Sequence, residues 1–311
     1  MTLNQLKYAL MLQKTGNYKM AASNLGISQP ALSIQIQQLE DLIDVKLFDR
    51  SRNPVEPTVD GKEFLKKAEQ IIVQSQNLLS FSNELKKDFS GTLKVGIIPT
   101  LAPFLIPQFI GPLQNEYPDF KLDFHEMITE RIVKSVKRGE LDVGILSTPI
   151  DTAGIESIPL FYEKFYMYTS KEEAHYKFNL KNIDHKELWL LDEGNCFRDQ
   201  VSNFCNINEI RSHKNFIYRT NSIDALIKIV DNKGGLTILP ELSTLTLNEE
   251  QEERLSEIGI KQKAREIGMI VIPNYDKKRF IHKLREFIAS NIPKHMLDKE
   301  AYDVIDPQVS V

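Results

Sequence analysis

Apolar residues recur at helical spacing in three short runs within the first sixty positions. From Leu3 to Leu12 the inward positions are Leu3, Leu6 and Leu10, with Tyr8 beside them, and Gly16 and Asn17 end the helix. Tyr18 to Leu25 is a shorter helix whose small Ala21 and Ala22 permit close packing against a crossing neighbour. Gly26, Ile27 and Ser28 make a tight turn; Ser28 caps the next helix, and Pro30 stands in its first turn, where a missing N–H costs nothing. Leu32, Ile36 and Leu39 then form a buried stripe, and the opposite face carries Pro30, Ser33, Ile34, Gln37 and Gln38. Arg50-Ser51-Arg52-Asn53-Pro54 to Thr58 reads as a β-hairpin wing.

From Asp60 to about Lys87 no residue after Gly61 breaks a helix. Phe64, Ala68, Ile71, Ser75, Leu78, Ser82 and Leu85 step by four and three alternately, a heptad seam that Leu65, Ile72 and Leu79 widen. Such a helix runs about 40 Å. It either lies on a core of its own chain or pairs with a second copy, and its length and regular step favour a dimer-forming linker.

Ser90-Gly91 marks a boundary, after which the period changes. Thr92–Ile98, Lys121–Met127 and Leu141–Leu146 read as strands, alternating with helices over Leu101–Tyr117 and Glu130–Arg138. The alternation resumes with Leu188–Leu191, Phe216–Arg219, Ser222–Val230 and Leu236–Leu239. A last strand, Ile267–Ile272, precedes a helix from Lys277 to about Ile292. This predicts an α/β fold with a parallel sheet covered by helices. Ligands in such sheets sit at strand carboxyl ends, here Pro99-Thr100 and Ile128-Thr129. His125 reads as either a core histidine or a pocket residue, with the core favoured on the residues alone; Glu249 to Glu253 and Lys86-Lys87 read as solvated faces, and the tail from Ala301 as frayed.

The chain has 311 residues, 41% hydrophobic and 26% charged, with a net charge of −4. Bases and acids nearly balance in the first ninety residues, so any DNA contact depends on local placement of charge and not on a bulk basic field. No apolar run approaches the roughly 18 residues that span a bilayer. Tyr8 to Leu12 is too short for a signal peptide, which points to the cytosol and away from an exported solute-binding protein.

Helix, tight turn, helix with a polar outer face is the layout that lowers a recognition helix into a major groove. Glutamines can read adenine edges, Ile34 can touch a thymine methyl, and Arg50 and Arg52 suit phosphate or minor-groove contact. A small helical bundle with a polar face would show part of this pattern. The whole arrangement, however, resembles the DNA-binding domain of LysR-type transcriptional regulators. The resemblance is carried by Ala21-Ala22, Leu25, Ile27-Ser28-Gln29-Pro30-Ala31-Leu32-Ser33, Ile36, Leu39-Glu40, Leu47-Phe48-Asp49-Arg50, Thr58 and Gly61. It implies a winged helix-turn-helix over 1–59, contacting operator DNA through Ser28, Gln29, Pro30, Ser33, Ile34, Gln37, Gln38, Arg50 and Arg52. Gln37 and Gln38 depart from relatives that often place a basic residue there. The resemblance further implies a linker helix over 60–88 and a two-lobed, periplasmic-binding-protein-like effector domain over 91–305. Lobe I would be about 91–162 with 268–305 and lobe II about 163–267, with crossings near Phe161–Lys164 and Arg265–Gly268. A homodimer, a tetramer in most such regulators, and RNA polymerase for an activator are the implied protein partners.

Only two cysteines occur, Cys196 and Cys205, too few for a disulfide framework and without partner ligands for zinc; no metal or cofactor is expected. Cys196 stands where a helix should begin after Leu188–Leu191, and helix-terminal N–H groups with Arg198 or Arg265 nearby would favour its thiolate. On one continuous helix the two cysteines lie about 13.5 Å and half a turn apart. A disulfide needs Cα atoms within about 7 Å, so bonding them requires unwinding. Two inert thiols remain the plainer reading. The segment Gly194-x-Cys196-x-Arg198-Asp199-Gln200 with Phe204-Cys205 is, however, similar to the hydrogen-peroxide sensors of the LysR type. Gly96-x-Ile98-Pro99-Thr100, His125-Glu126, Thr129 and Arg265-x-Ile267-Gly268 extend the similarity. It implies that peroxide oxidises Cys196 to a sulfenic acid that Cys205 resolves as a disulfide. Thr100, Thr129, Asn195, Arg198, Asp199 and Arg265 would then form the peroxide or effector pocket. Asn195 stands where several of those sensors have histidine, and it cannot take a proton. Three functions follow: a redox-sensing regulator, a regulator with a small organic effector in the inter-lobe cleft, or a thiol peroxidase. An amino-terminal DNA reader serves no purpose in the last, so the chain is not expected to be an enzyme.

Overall fold

A computed structural model describes residues 1–84, 91–170, 188–192, 196–204, 218–258, 263–273, 275, 277–305 and 307. The chain divides into two units, Met1–Leu85 and Lys86–Val311.

In the first unit, α1 (Leu3–Thr15), α2 (Tyr18–Leu25) and α3 (Gln29–Ile43) close on Leu6, Ala9, Leu12, Ala21, Ala22, Leu32, Ile36 and Leu39. Leu3 is exposed instead of inward, because it opens α1, and Ala9 and Leu12 supply the buried positions in its place. Strands β1 (Phe48–Asp49) and β2 (Glu56–Pro57) pair antiparallel to form the wing. A Cβ on Gly61 would stand 2.1 Å from the Leu47 carbonyl oxygen, so only glycine lets α4 (Val59–Glu84) start against the wing. The apolar side of α4 then splits. Leu65, Ala68 and Ile72 pack into this unit's own core, while Ile71 and Leu78 stay exposed. The seam is therefore narrower than its sequence pattern, and the side chains of Leu79 and Ser82, with all of Leu85 to Ser90, lie outside the described residues.

Among the described residues the second unit forms a nine-stranded sheet in the order β4-β3-β5-β10-β6-β8-β7, with β11 on β10 and β9 on β6. Its first half is parallel: β3 (Gly91–Ile97) lies between β4 (Phe120–Glu126) and β5 (Val143–Thr148), joined by α5 (Ala102–Glu116) and α6 (Thr129–Lys137). The second half holds β7 (Leu188–Trp189), α7 (Cys196–Phe204), α8 (Ile223–Lys233), β8 (Leu236–Pro240), short α9 (Glu241–Thr244) and α10 (Glu249–Glu252), and β9 (Leu255–Glu257). The crossings expected near Phe161–Lys164 and Arg265–Gly268 are the interiors of two long antiparallel strands, β6 (Glu156–Thr169) and β10 (Lys263–Val271). The sheet is thus mixed, not parallel throughout. Tyr218 and Arg219 form no strand, and Phe216 lies outside the described residues.

After α11 (Lys278–Ser290) the chain does not fray at Ala301. β11 (Asp303–Val304) pairs parallel with Lys263 and Ala264, the Ile305 N–H donates to the Ala264 carbonyl at 2.8 Å, and Lys263 pairs with Asp303 at 2.5 Å. The polar composition of this segment hid a strand held by backbone bonds. His125 is likewise no core residue: it is exposed and faces Asp123 at 3.3 Å.

Candidate functional site

The predicted DNA-reading face is built by α3 and the wing. Ser28 Oγ accepts from the Ala31 N–H at 3.3 Å, and Pro30 sits in the first turn, so α3 begins as its sequence demands. Gln29, Ile34 and Gln38 are exposed and Ser33 is half-buried. Gln37 differs from them, because its amide is committed at both ends. Its Nε2 donates to Asp41 Oδ1 at 2.7 Å, and its Oε1 accepts from Arg50 Nη2 at 2.9 Å.

The same Arg50 nitrogen donates to Glu40 Oε2 at 3.0 Å. Glu40 is fully buried, and its other oxygen accepts from the Leu47 and Phe48 N–H groups at 2.8 and 3.2 Å. One carboxylate thereby ties α3 to the wing. Arg52 is held by Glu56 at 2.6 Å and Asp49 at 3.2 Å. The Ser51 hydroxyl and amide fold the turn onto Asp49 and, with Arg52, hold its carboxyl below the usual range. Neither wing arginine is a loose cation. Sequence reasoning gave Glu40 no role, since a helical glutamate reads as solvated until its two backbone donors are seen.

In the second unit, Arg265 on β10 lies directly across from Glu163 on β6. Arg265 Nε and Nη2 stand 2.7 and 2.6 Å from Glu163 Oε1, and Nη1 donates to Thr100 Oγ1 at 3.1 Å. The second Glu163 oxygen accepts from the Leu242 N–H at 3.2 Å. All three side chains are buried, and burial raises the Glu163 pKa while the Arg265 charge opposes it. On the other face of the strands Glu266 accepts from the Thr148 and Tyr162 hydroxyls at 2.7 and 3.1 Å. Burial, aided by Glu266, pushes the Tyr162 hydroxyl up to about 12.

Helix α7 packs on these two strands. It begins at Cys196, and the Phe197 ring lies 4.9 Å from the Arg265 guanidinium carbon and stacks on Phe165 at 5.5 Å. Gln200 Nε2 donates to the Ile305 carbonyl at 3.2 Å, so the carboxy-terminal strand fastens α7 to β10. Of the predicted pocket residues, Thr100 and Arg265 meet. Thr129 is buried at the start of α6, Arg198 is half-buried and Asp199 exposed. Asn195 and Cys205 lie outside the described residues, as does the side chain of Cys196. A cleft of about 270 Å³ opens between Pro99, Phe104 and Glu126 on one side and Asn221, Ser222 and Asp224 on the other. Among the described residues no group of three or more His, Cys, Asp or Glu side chains is placed to hold a metal ion, and no helix is long and apolar enough to cross a membrane.

Two family descriptions match. "Bacterial regulatory helix-turn-helix protein, lysR family" covers residues 3–62, and "LysR substrate binding domain" covers residues 86–291. The chain belongs to the LysR family of DNA-binding transcription regulators. It is 32% identical to the HTH-type transcriptional regulator EstR of Acinetobacter baylyi over 79% of this chain and 81% of that one. It is 27% identical to the DNA-binding transcriptional dual regulator OxyR of Escherichia coli over 95% and 97% of the two chains. A full-length OxyR variant from Pseudomonas aeruginosa superposes with a TM-score of 0.72 at 27% identity, covering 93% of this chain and 95% of that one.

Proposed function

We propose that this regulator senses peroxide through Cys196 and Cys205 and passes the signal to operator DNA. The observation that carries the reading is the seat of α7: the helix that opens with Cys196 lays its next residue, Phe197, on the buried Arg265–Glu163 pair between the crossing strands. The likeness to OxyR along nearly the whole chain supports it. In the reaction, the Cys196 thiolate attacks one peroxide oxygen, the O–O bond breaks, and hydroxide leaves as water once protonated. The Cys205 thiolate then displaces a second hydroxide from the sulfenic sulfur, so two thiols and one peroxide give one disulfide and two waters. Cys196 and Phe204, at the two ends of α7, are about 12 Å apart along its axis. Bonding Cys196 to the residue after Phe204 therefore requires α7 to unwind. Thr100, Thr129, Asn195, Arg198, Asp199 and Arg265 form the pocket in which peroxide is held.

Two copies joined along the exposed Ile71 and Leu78 of α4 present two reading heads to two half-sites, with RNA polymerase as partner where the chain activates. The test is a free-thiol count on the full chain before and after a small excess of hydrogen peroxide, with Cys196→Ser as control. Wild type should lose both thiols, and the variant should keep its remaining one. A second reading rests on the 270 Å³ cleft and on the EstR relative: a small organic effector bound between Phe104 and Asn221. Two retained thiols, together with a melting temperature raised by a small organic acid, would favour it and reject the redox reading.

A further inference from the structure

Gln37 and Gln38 are neighbours on α3, and a sequence reading gives both the same task. To read an adenine edge, a glutamine must offer its carbonyl and its amide to the base together. Gln38 is exposed and is not bonded to any described residue. Gln37 offers neither group, since Asp41 holds its Nε2 and Arg50 occupies its Oε1.

What Gln37 gains from this is control of Arg50. Glu40 contacts a single guanidinium nitrogen, Nη2, through a single oxygen, and the nearby Tyr18 hydroxyl makes no hydrogen bond among the described residues, so the Glu40 contact by itself lets the guanidinium swing. A second acceptor on the same nitrogen, three residues earlier on α3, fixes its plane. Gln37 does this without adding charge. Arg50 and Lys46 balance Glu40 and Asp41 in the surrounding cluster, where Lys46 Nζ lies 3.6 Å from Glu40 and 3.8 Å from Asp41. A carboxylate at position 37 would tip the cluster negative and repel phosphate.

We propose that Gln37 is a positioning residue and not a base reader: it sets the Arg50 guanidinium for a DNA phosphate at the edge of the groove, and Asp41 fixes which way its amide faces. The inference goes beyond the redox reading and rests only on the chain binding DNA.

The test uses the full chain on two probes, a random-sequence duplex titrated at several salt concentrations and a randomised duplex pool selected for tight binding and sequenced. Gln37→Ala should weaken binding to the random-sequence duplex by about fivefold, the size of one lost hydrogen bond. It should lower the salt slope by about one phosphate contact and leave the selected sequence unchanged. Gln37→Glu should weaken binding more, and Gln37→Met, which keeps the volume and the helix, should match Gln37→Ala. Gln37→Ala should add nothing in an Arg50→Ala background. Gln38→Ala should change the selected sequence at one base pair. The proposal is overturned if Gln37→Ala or Gln37→Met changes the selected sequence with the salt slope intact, leaves binding unaltered, or costs as much without Arg50. A wild type that binds neither probe would instead defeat the DNA-binding reading itself.

Discussion

Among the described residues two arginines pair with a wholly buried glutamate, one in each unit, and the two pairs differ in how far the arginine is exposed. Glu40 and Glu163 are both wholly buried, and each also accepts backbone N–H groups, from Leu47 and Phe48 in one case and from Leu242 in the other. Arg50, however, is 42% exposed, whereas Arg265 is 0% exposed. An anchored carboxylate thus makes two different devices. With an open flank its arginine is fixed at one edge and still faces solvent, where a phosphate can reach it. With a closed flank, under Phe197 and against Thr100, the arginine welds two strands and meets only what the protein brings to it.

The comparison predicts unequal costs of breaking the pairs. Arg265→Ala strands the Glu163 charge in the interior and should cost about 3–5 kcal/mol. Urea unfolding followed by far-ultraviolet circular dichroism, to which both units contribute, would measure it. Replacing both partners, Arg265→Met with Glu163→Leu, should recover most of that loss. Arg50→Ala leaves Glu40 its two backbone donors and should cost only about 1.5 kcal/mol of stability. Equal losses from Arg50→Ala and Arg265→Ala would erase the distinction. A smaller effect sharpens it at the turn leading to the wing. Asp44 ends α3 with φ of 53°, a left-handed conformation that favours glycine, so Asp44→Gly should stabilise by about 0.5–1 kcal/mol in the same assay.

The last effect vanishes near neutrality. Tyr162 and Tyr166 are raised from 10.0 to about 12, chiefly by burial. Their folded pKa exceeds the unfolded one, so their contribution is whole below pH 10 and is lost as pH climbs to about 12. Unfolding midpoints across that range should fall, and Tyr162→Phe should flatten the fall.

The first unit was legible almost residue by residue, because its helices carry one apolar stripe each and its caps and turns are local chemistry. Leu3 misled because helical spacing alone does not say where a helix begins. In the second unit the parallel half was equally plain and Ile267–Ile272 was read as a strand, yet β6 and the first residues of β10 entered only as crossings. Pro159, Glu163, Lys164, Arg265 and Glu266 interrupt their apolar runs, which hides the period of a strand. Here Arg265 and Glu163 satisfy one another across the strands, and Glu266 finds two hydroxyls. The partners lie about a hundred residues apart, beyond any local pattern. For the same reason Gln37 read as a free glutamine, since Arg50, thirteen residues on, is what occupies it.

On the proposed redox reading, oxidation unwinds α7 while the paired strands β6 and β10 beneath it stay closed. Amide hydrogen exchange on the full chain, before and after peroxide, tests this most directly, with Cys196→Ser alongside. The prediction is faster exchange across residues 196–204 of wild type only, with 161–165 and 264–268 still protected. Unchanged exchange in 196–204 once the thiols are consumed, or opening of β6 and β10 together with it, would contradict that reading.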